Sequence, residues 1–169
     1  MTPQPSGRLL PTANGRDLVL VRTFRAPIDD VWASITESER TARWFASWRG
    51  EGRPGGTIWY RMGFEEGTAE GEARIEACEA PRHLALTTID ASGNWHLEIH
   101  LSEAGGVTNL RLTHHLDANI DAGSVGPGWE YYLDMLVASR EDAPLPSFDD
   151  YYPAQSEYYR SMAPGLASE

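Results

Sequence analysis

Lysine is absent from this 169-residue chain, in which all 14 basic residues are arginine. That absence removes Schiff-base catalysis, Ser–Lys dyads and the phosphate-loop lysine together. Cysteine is almost absent too. Cys78 alone cannot close an internal disulfide or supply paired metal ligands, and its segment GEARIEACEA offers no neighbouring base, so an inert thiol is expected. Apolar runs long enough to span a bilayer are missing, and the opening MTPQPSGRLLPTANG lacks a basic stretch followed by an apolar core. A cytoplasmic protein without membrane insertion is the expectation. Positive charge is scarce, and a formal net charge of −11 repels phosphate backbones. No arginine cluster with interleaved aromatics offsets it, which argues against a nucleic-acid partner. Carboxylate pairs and nucleophile–base spacings are also unidentifiable, so no catalytic residue and no cofactor is assigned.

What is present is enough for one domain with a substantial core, the hydrophobic fraction being 41%. The stretch Gly126 to Arg140, GPGWEYYLDMLVASR, predicts a long helix. Trp129, Tyr132, Leu133, Leu136, Val137 and Arg140 recur on one broad face, and Pro127 suits a first helical turn. Ahead of it, residues 1–15 read as a flexible arm. Arg16 to Phe24 reads as a strand. Ala26-Pro27 ends that strand and opens a short helix carrying Ile28, Val31, Trp32 and Ile35 on one side, and a second helix is expected from about Glu39 to Phe45 with Ser38 as N-cap. The glycine-rich loop around Gly50 to Gly56 precedes a strand and carries no lysine, so it reads as a turn rather than a phosphate cradle.

From Thr57 onward the pattern is an antiparallel meander. Ile58, Tyr60, Met62 and Phe64 share one strand face, and in the next strand Gly71, Ala73, Ile75 and Ala77 oppose Glu70, Glu72, Arg74 and Glu76. The small residues on the buried side leave room for a hollow. HLALTTI is a further strand and ASGN a turn. For the last pair, a turn at Glu103 to Gly106 would set Ser102 against Val107 and Glu98 against Arg111, and would bring His114 opposite Trp95 on the apolar face. Altogether about six strands follow the two short helices. The tail from Ala143, with Tyr151, Tyr152, Tyr158 and Tyr159, is expected to form a short helix from about Pro153 to Ser161 that docks on this chain or on a second copy.

Arg22-Thr23-Phe24, Ala26-Pro27 and Val31-Trp32 with Ile35-Thr36 resemble the opening of SRPBCC (START-like, helix-grip) proteins. More narrowly they resemble the branch of the activator of the 90-kDa heat-shock-protein ATPase. Trp44-Phe45, Gly55-Gly56, Thr113-His114 and Gly128-Trp129 with Leu133-Asp134 and Leu136 agree in order and spacing, over roughly residues 16 to 140. The resemblance implies an α+β helix-grip fold, in which a seven-stranded curved antiparallel sheet wraps a long C-terminal helix with a cavity between. The domain would occupy residues 16–142, followed by an aromatic extension at 143–169. Family members bind lipids, sterols, polyketides or hormones, and the eukaryotic relatives assist a chaperone.

Candidate ligand-binding residues are Tyr60, Met62, Trp95, His114, Trp129 and Tyr132, aromatic or adaptable side chains with one polar group of the kind that lines small-molecule pockets. His114 reads either as a satisfied core histidine or as a base or ligand partner. No metal site is assigned. His96 and His100 lie about 13 Å apart along one strand at 3.3 Å per residue, too far to share an ion without help from neighbours. The leading reading is a non-enzymatic protein that binds a hydrophobic, apolar or aromatic small molecule. The alternatives are a protein-interaction module with a chaperone partner, and a polyketide cyclase or hydrolase using His114. A homodimer contact through the extension is a further expectation.

Overall fold

A computed structural model of the chain describes residues 3–13, 15–65, 70–89 and 94–162. The fold is α+β. Its strands are β1 (Arg8–Pro11), β2 (Gly15–Phe24), β3 (Ala46–Gly50), β4 (Thr57–Met62), β5 (Gly71–Glu79), β6 (His83–Ile89), β7 (Trp95–Ala104) and β8 (Val107–Asp117). They form one antiparallel sheet in the order β1-β2-β8-β7-β6-β5-β4-β3. The helices are α1 (Ile28–Thr36), α2 (Ser38–Thr41), α3 (Ala122–Arg140) and α4 (Ser156–Met162). Among the described residues no helix is long and apolar enough to cross a membrane. The chain divides into two compact units, Met1–Val21 with Leu112–Glu169, and Arg22–Arg111.

The sheet has eight strands rather than seven. Within the expected flexible arm, Arg8–Pro11 pairs with β2 from Arg8 opposite Val19 to Pro11 opposite Arg16. A proline is tolerated there because β1 is an edge strand. In the unit holding both termini, α3 starts four residues before Gly126. Asp121 caps it, accepting from Gly123 N–H at 3.0 Å and from the Ser124 hydroxyl at 3.0 Å. Pro127 therefore lies inside the helix rather than in its first turn.

The 19 residues of α3 run about 28 Å. Trp129, Tyr132, Leu133 and Leu136 are buried as their spacing requires, but so are Glu130, Tyr131, Met135 and Ala138 on the other side. The extension covers that second side in cis. Tyr131 meets the rings of Phe148 and Tyr151, Tyr151 donates to Asp134 at 2.7 Å, and Tyr159 is fully buried. Two glycines make room for α4. A Cβ on Gly126 would sit 2.5 Å from the Tyr159 ring, and one on Gly123 would sit 2.5 Å from Arg160 Nε.

In the unit Arg22–Arg111, α2 is shorter than expected, and residues 42–45 of the expected helix are a turn that leads into β3. Tryptophan hydrogen bonds fix this stretch: Trp44 Nε1 donates to Ser34 O and Trp48 Nε1 to Thr36 O, both at 2.9 Å. Ser38 is the first helical residue, its hydroxyl accepting from Trp48 N–H at 2.8 Å. The glycine-rich loop is a turn whose backbone is spent on β5, with Gly55 N–H bonded to Ile75 O and Ile75 N–H to Gly56 O. Ile58, Ala73 and Ile75 form a small core with Tyr60, Cys78, Leu84 and Leu86 packed on it. The room left by Gly71 is filled by Tyr60, whose hydroxyl would lie 2.7 Å from an added Cβ.

The last hairpin also differs from expectation. Its strands reach Ala104 and Val107, leaving Gly105 and Gly106 at φ of 59° and 79°, the signature of a two-residue type I′ turn. Ala104, not Ser102, thus flanks the turn opposite Val107.

Candidate functional site

His114, on β8, is fully buried. Trp129 Nε1 donates to its Nδ1 at 3.1 Å, the two rings meeting edge-on at 6.2 Å and 84°. Tyr132 continues the series 6.5 Å from Trp129. With Nδ1 as acceptor, the neutral ring carries its proton on Nε2. Three of the six candidate residues are therefore brought together, but as packed core. His114 has no exposed edge to offer a reactant.

Next to Trp129 on α3, Glu130 is a buried acid at 1% exposure that the sequence reading did not single out. Burying a carboxylate is costly unless donors surround it. Here Ser6 N–H donates at 2.6 Å, Gly7 N–H at 2.9 Å and the Ser6 hydroxyl at 3.2 Å, and the Tyr159 hydroxyl completes the set. Burial, then the neighbouring carboxylate, pushes the Tyr159 phenol above its ordinary range, so it remains a donor. At the start of the same helix, Arg160 pulls the Asp121 carboxyl down to about 2.

In the unit Arg22–Arg111, the facing strands β3 and β4 set Arg49 opposite Trp59 and Ser47 opposite Arg61. With Trp48 and Glu70 these residues line an open cleft of about 210 Å³. The Arg49 guanidinium lies 4.9 Å over the Trp59 ring and 2.9 Å from Glu70 Oε1. The alternation of β4 puts Tyr60 and Met62 on the opposite face from Trp59 and Arg61. Trp95, the remaining candidate, begins β7 at 38% exposure, its N–H donating to the Thr88 hydroxyl at 3.1 Å.

The same unit assembles a second polar cluster, on β6 and β7. His83 stands opposite His100, and Glu98 is two residues along. His83 Nε2 lies 2.8 Å from Glu98 Oε1, and His83 Nδ1 lies 3.0 Å from Glu79 Oε1. The two imidazoles stack 4.4 Å apart. The hydrogen bond to Glu98, then that to Glu79, raises the His83 pKa, whereas burial, then the charge of His83, lowers that of His100. The distance between His96 and His100 considers one strand only. The neighbouring strand supplies the imidazole that it leaves out.

Residues 25–140 match the family described as Activator of Hsp90 ATPase homolog 1-like protein. The chain belongs to this family. Among solved structures, the family member is similar to CalU16 from Micromonospora echinospora at 27% identity and TM-score 0.75, over 95% of this chain and 96% of that one. It is also similar to the protein encoded by gene BPP1335 of Bordetella parapertussis, at 27% identity and TM-score 0.71, over 91% and 88% of the two chains. A conserved protein of unknown function from Enterococcus faecalis shares the fold at 17% identity and TM-score 0.76, over 95% and 91%. No curated protein matches the chain. The family segment ends with α3, so Ser6, Gly7 and Tyr159, which hold Glu130, all lie outside it.

Proposed function

We propose that this family member is a non-enzymatic helix-grip protein that binds a small aromatic molecule carrying an anionic group. The observation behind this reading is the cleft on β3 and β4. Trp59 offers stacking surface there, and Arg49 and Arg61 offer counter-charge. Its volume of about 210 Å³ lies below the roughly 300–1,000 Å³ of drug-sized pockets, which suits a one- or two-ring ligand. The full burial of His114 argues against its use as a base. The test is native mass spectrometry of the full chain with a panel of aromatic carboxylates and their uncharged analogues. A one-to-one adduct that favours the carboxylates and is lost in Trp59→Ala and Arg61→Ala supports the reading. An adduct that survives both substitutions, or none at all, overturns it.

The family match favours a second reading, a surface that engages a 90-kDa heat-shock chaperone. Its test is co-purification with that chaperone and measurement of the chaperone's ATPase rate. Absence of both capture and stimulation removes it.

A further inference from the structure

We propose that His83, Glu98 and His100 form a site for a zinc-class divalent metal ion, with Glu79 orienting His83. The ligand atoms of the three residues lie within 4.8 Å of one another. A tetrahedral zinc ion with bonds of about 2.0–2.1 Å sets its ligand atoms about 3.4 Å apart. The two distances from Glu98 Oε1, 2.8 Å to His83 Nε2 and 4.0 Å to His100 Nε2, bracket that value. Small side-chain rotations would seat the ion, and the backbone is already fixed by the ladder that faces His83 with His100.

Two further features fit an ion. Metal-binding histidines characteristically donate their other ring N–H to a carboxylate, which fixes the tautomer and turns the free nitrogen to the metal. Glu79 Oε1, 3.0 Å from His83 Nδ1, occupies that position. His100 turns Nε2 toward Glu98 at 4.0 Å, while its Nδ1 is buried and makes no hydrogen bond among the described residues. The side chains of His83, Glu98 and His100 are 22%, 29% and 41% exposed, so solvent reaches the cluster and a fourth coordination position stays open to water. His96 is excluded from the set. It stands opposite Thr87, whose hydroxyl lies 3.1 Å from its Nδ1.

Without an ion, the His83 ring sits between the carboxylates of Glu79 and Glu98, and titration with metal separates the two states. Full-length, tag-free protein is titrated with ZnCl2 by calorimetry, and with CoCl2 by visible absorption. The expected result is one ion per chain, with the cobalt form showing the visible bands of a low-coordinate site. His83→Ala and His100→Ala each weaken binding at least about tenfold, Glu79→Gln weakens it about 10- to 100-fold, and His96→Ala leaves it unchanged. Glu98→Gln carries the same expectation should a histidine variant fold poorly. Failure to take up either ion overturns the site, as does uptake that persists in the His83→Ala, His100→Ala double variant.

Discussion

His114 and His83 are both imidazoles beside hydrogen-bonding partners, yet their surroundings differ. His114 is fully buried against Trp129, and the next residue, Glu130, gathers donors from Ser6, Gly7 and Tyr159. Its polar groups serve the core, where Trp129 donates to His114 and four donors meet Glu130. His83 lies within reach of Glu79, Glu98 and His100, all partly open to water. Polar atoms of that kind already meet one another, but water reaches them and an ion can replace those contacts. A polar residue is thus a ligand-site candidate when its neighbours are themselves ligating groups and leave it partly accessible, whatever its chemical type.

The sharpest test of the first half of this contrast is Tyr159, which fills the space over Gly126 and donates to Glu130. Tyr159→Ala is expected to destabilise the protein by about 3–5 kcal/mol through the cavity it leaves. Tyr159→Phe keeps the ring and should cost about 1–3 kcal/mol for the donor that Glu130 loses. Urea unfolding measures both. If the Phe variant is as stable as the parent, Glu130 does not depend on that donor. A smaller effect compares the histidines directly. His114→Ala strips the Trp129 indole of its acceptor and should cost about 1–3 kcal/mol, whereas metal-free His83→Ala should cost less than about 1 kcal/mol. Equal losses would erase the distinction.

The smallest effect belongs to Asp121 and Arg160, an exposed pair. The folded-state pKa of Asp121 is depressed to about 2 from 3.8, so its contribution is present above 3.8 and disappears as pH falls through about 2. The stability difference between the parent and Asp121→Asn should accordingly be seen near neutral pH and vanish by pH of about 2. A difference that does not vary with pH would assign the effect to helix capping instead.

Much of the fold is legible in the sequence because its signals are local. Period-two alternation marks β4 and β5, Ala26-Pro27 marks the entry to α1, and apolar spacing marks one side of α3. Where local signals are weak, the reading fails. Arg8–Pro11 and Ala46–Gly50 are too short and too rich in polar, Pro or Gly residues to read as strands, and they are strands because a neighbour pairs with them. Residues 122–125 carry no apolar spacing to extend the expected helix backward, and Gly123 there, like Gly126, leaves space that α4 fills. The candidate residues were chosen by side-chain type, and type alone does not give their grouping. His114, Trp129 and Tyr132 share a core, whereas Tyr60 and Met62 lie on the β4 face opposite the cleft.

The histidine cluster shows why grouping escapes a linear reading. Taking Ala91 to Asn94 as the turn would set Asp90 against Trp95 and His83 against Ser102. The observed ladder has Thr88 opposite Trp95 and His83 opposite His100. A two-residue slip keeps every side chain on its face, so hydrophobic alternation cannot detect it. It nonetheless decides which imidazoles meet.

By itself, the sequence determined the α+β class, the family, the exclusion of lysine chemistry and the buried stripe of α3, because each is written in composition or in periodicity over a few turns. Only the tertiary structure decided that Glu130 is a saturated hub, that the extension packs in cis over the second side of α3, and that His83 joins Glu98 and His100. Those outcomes depend on register and on segments distant in the chain, and the free energy that selects them appears only when the surfaces meet.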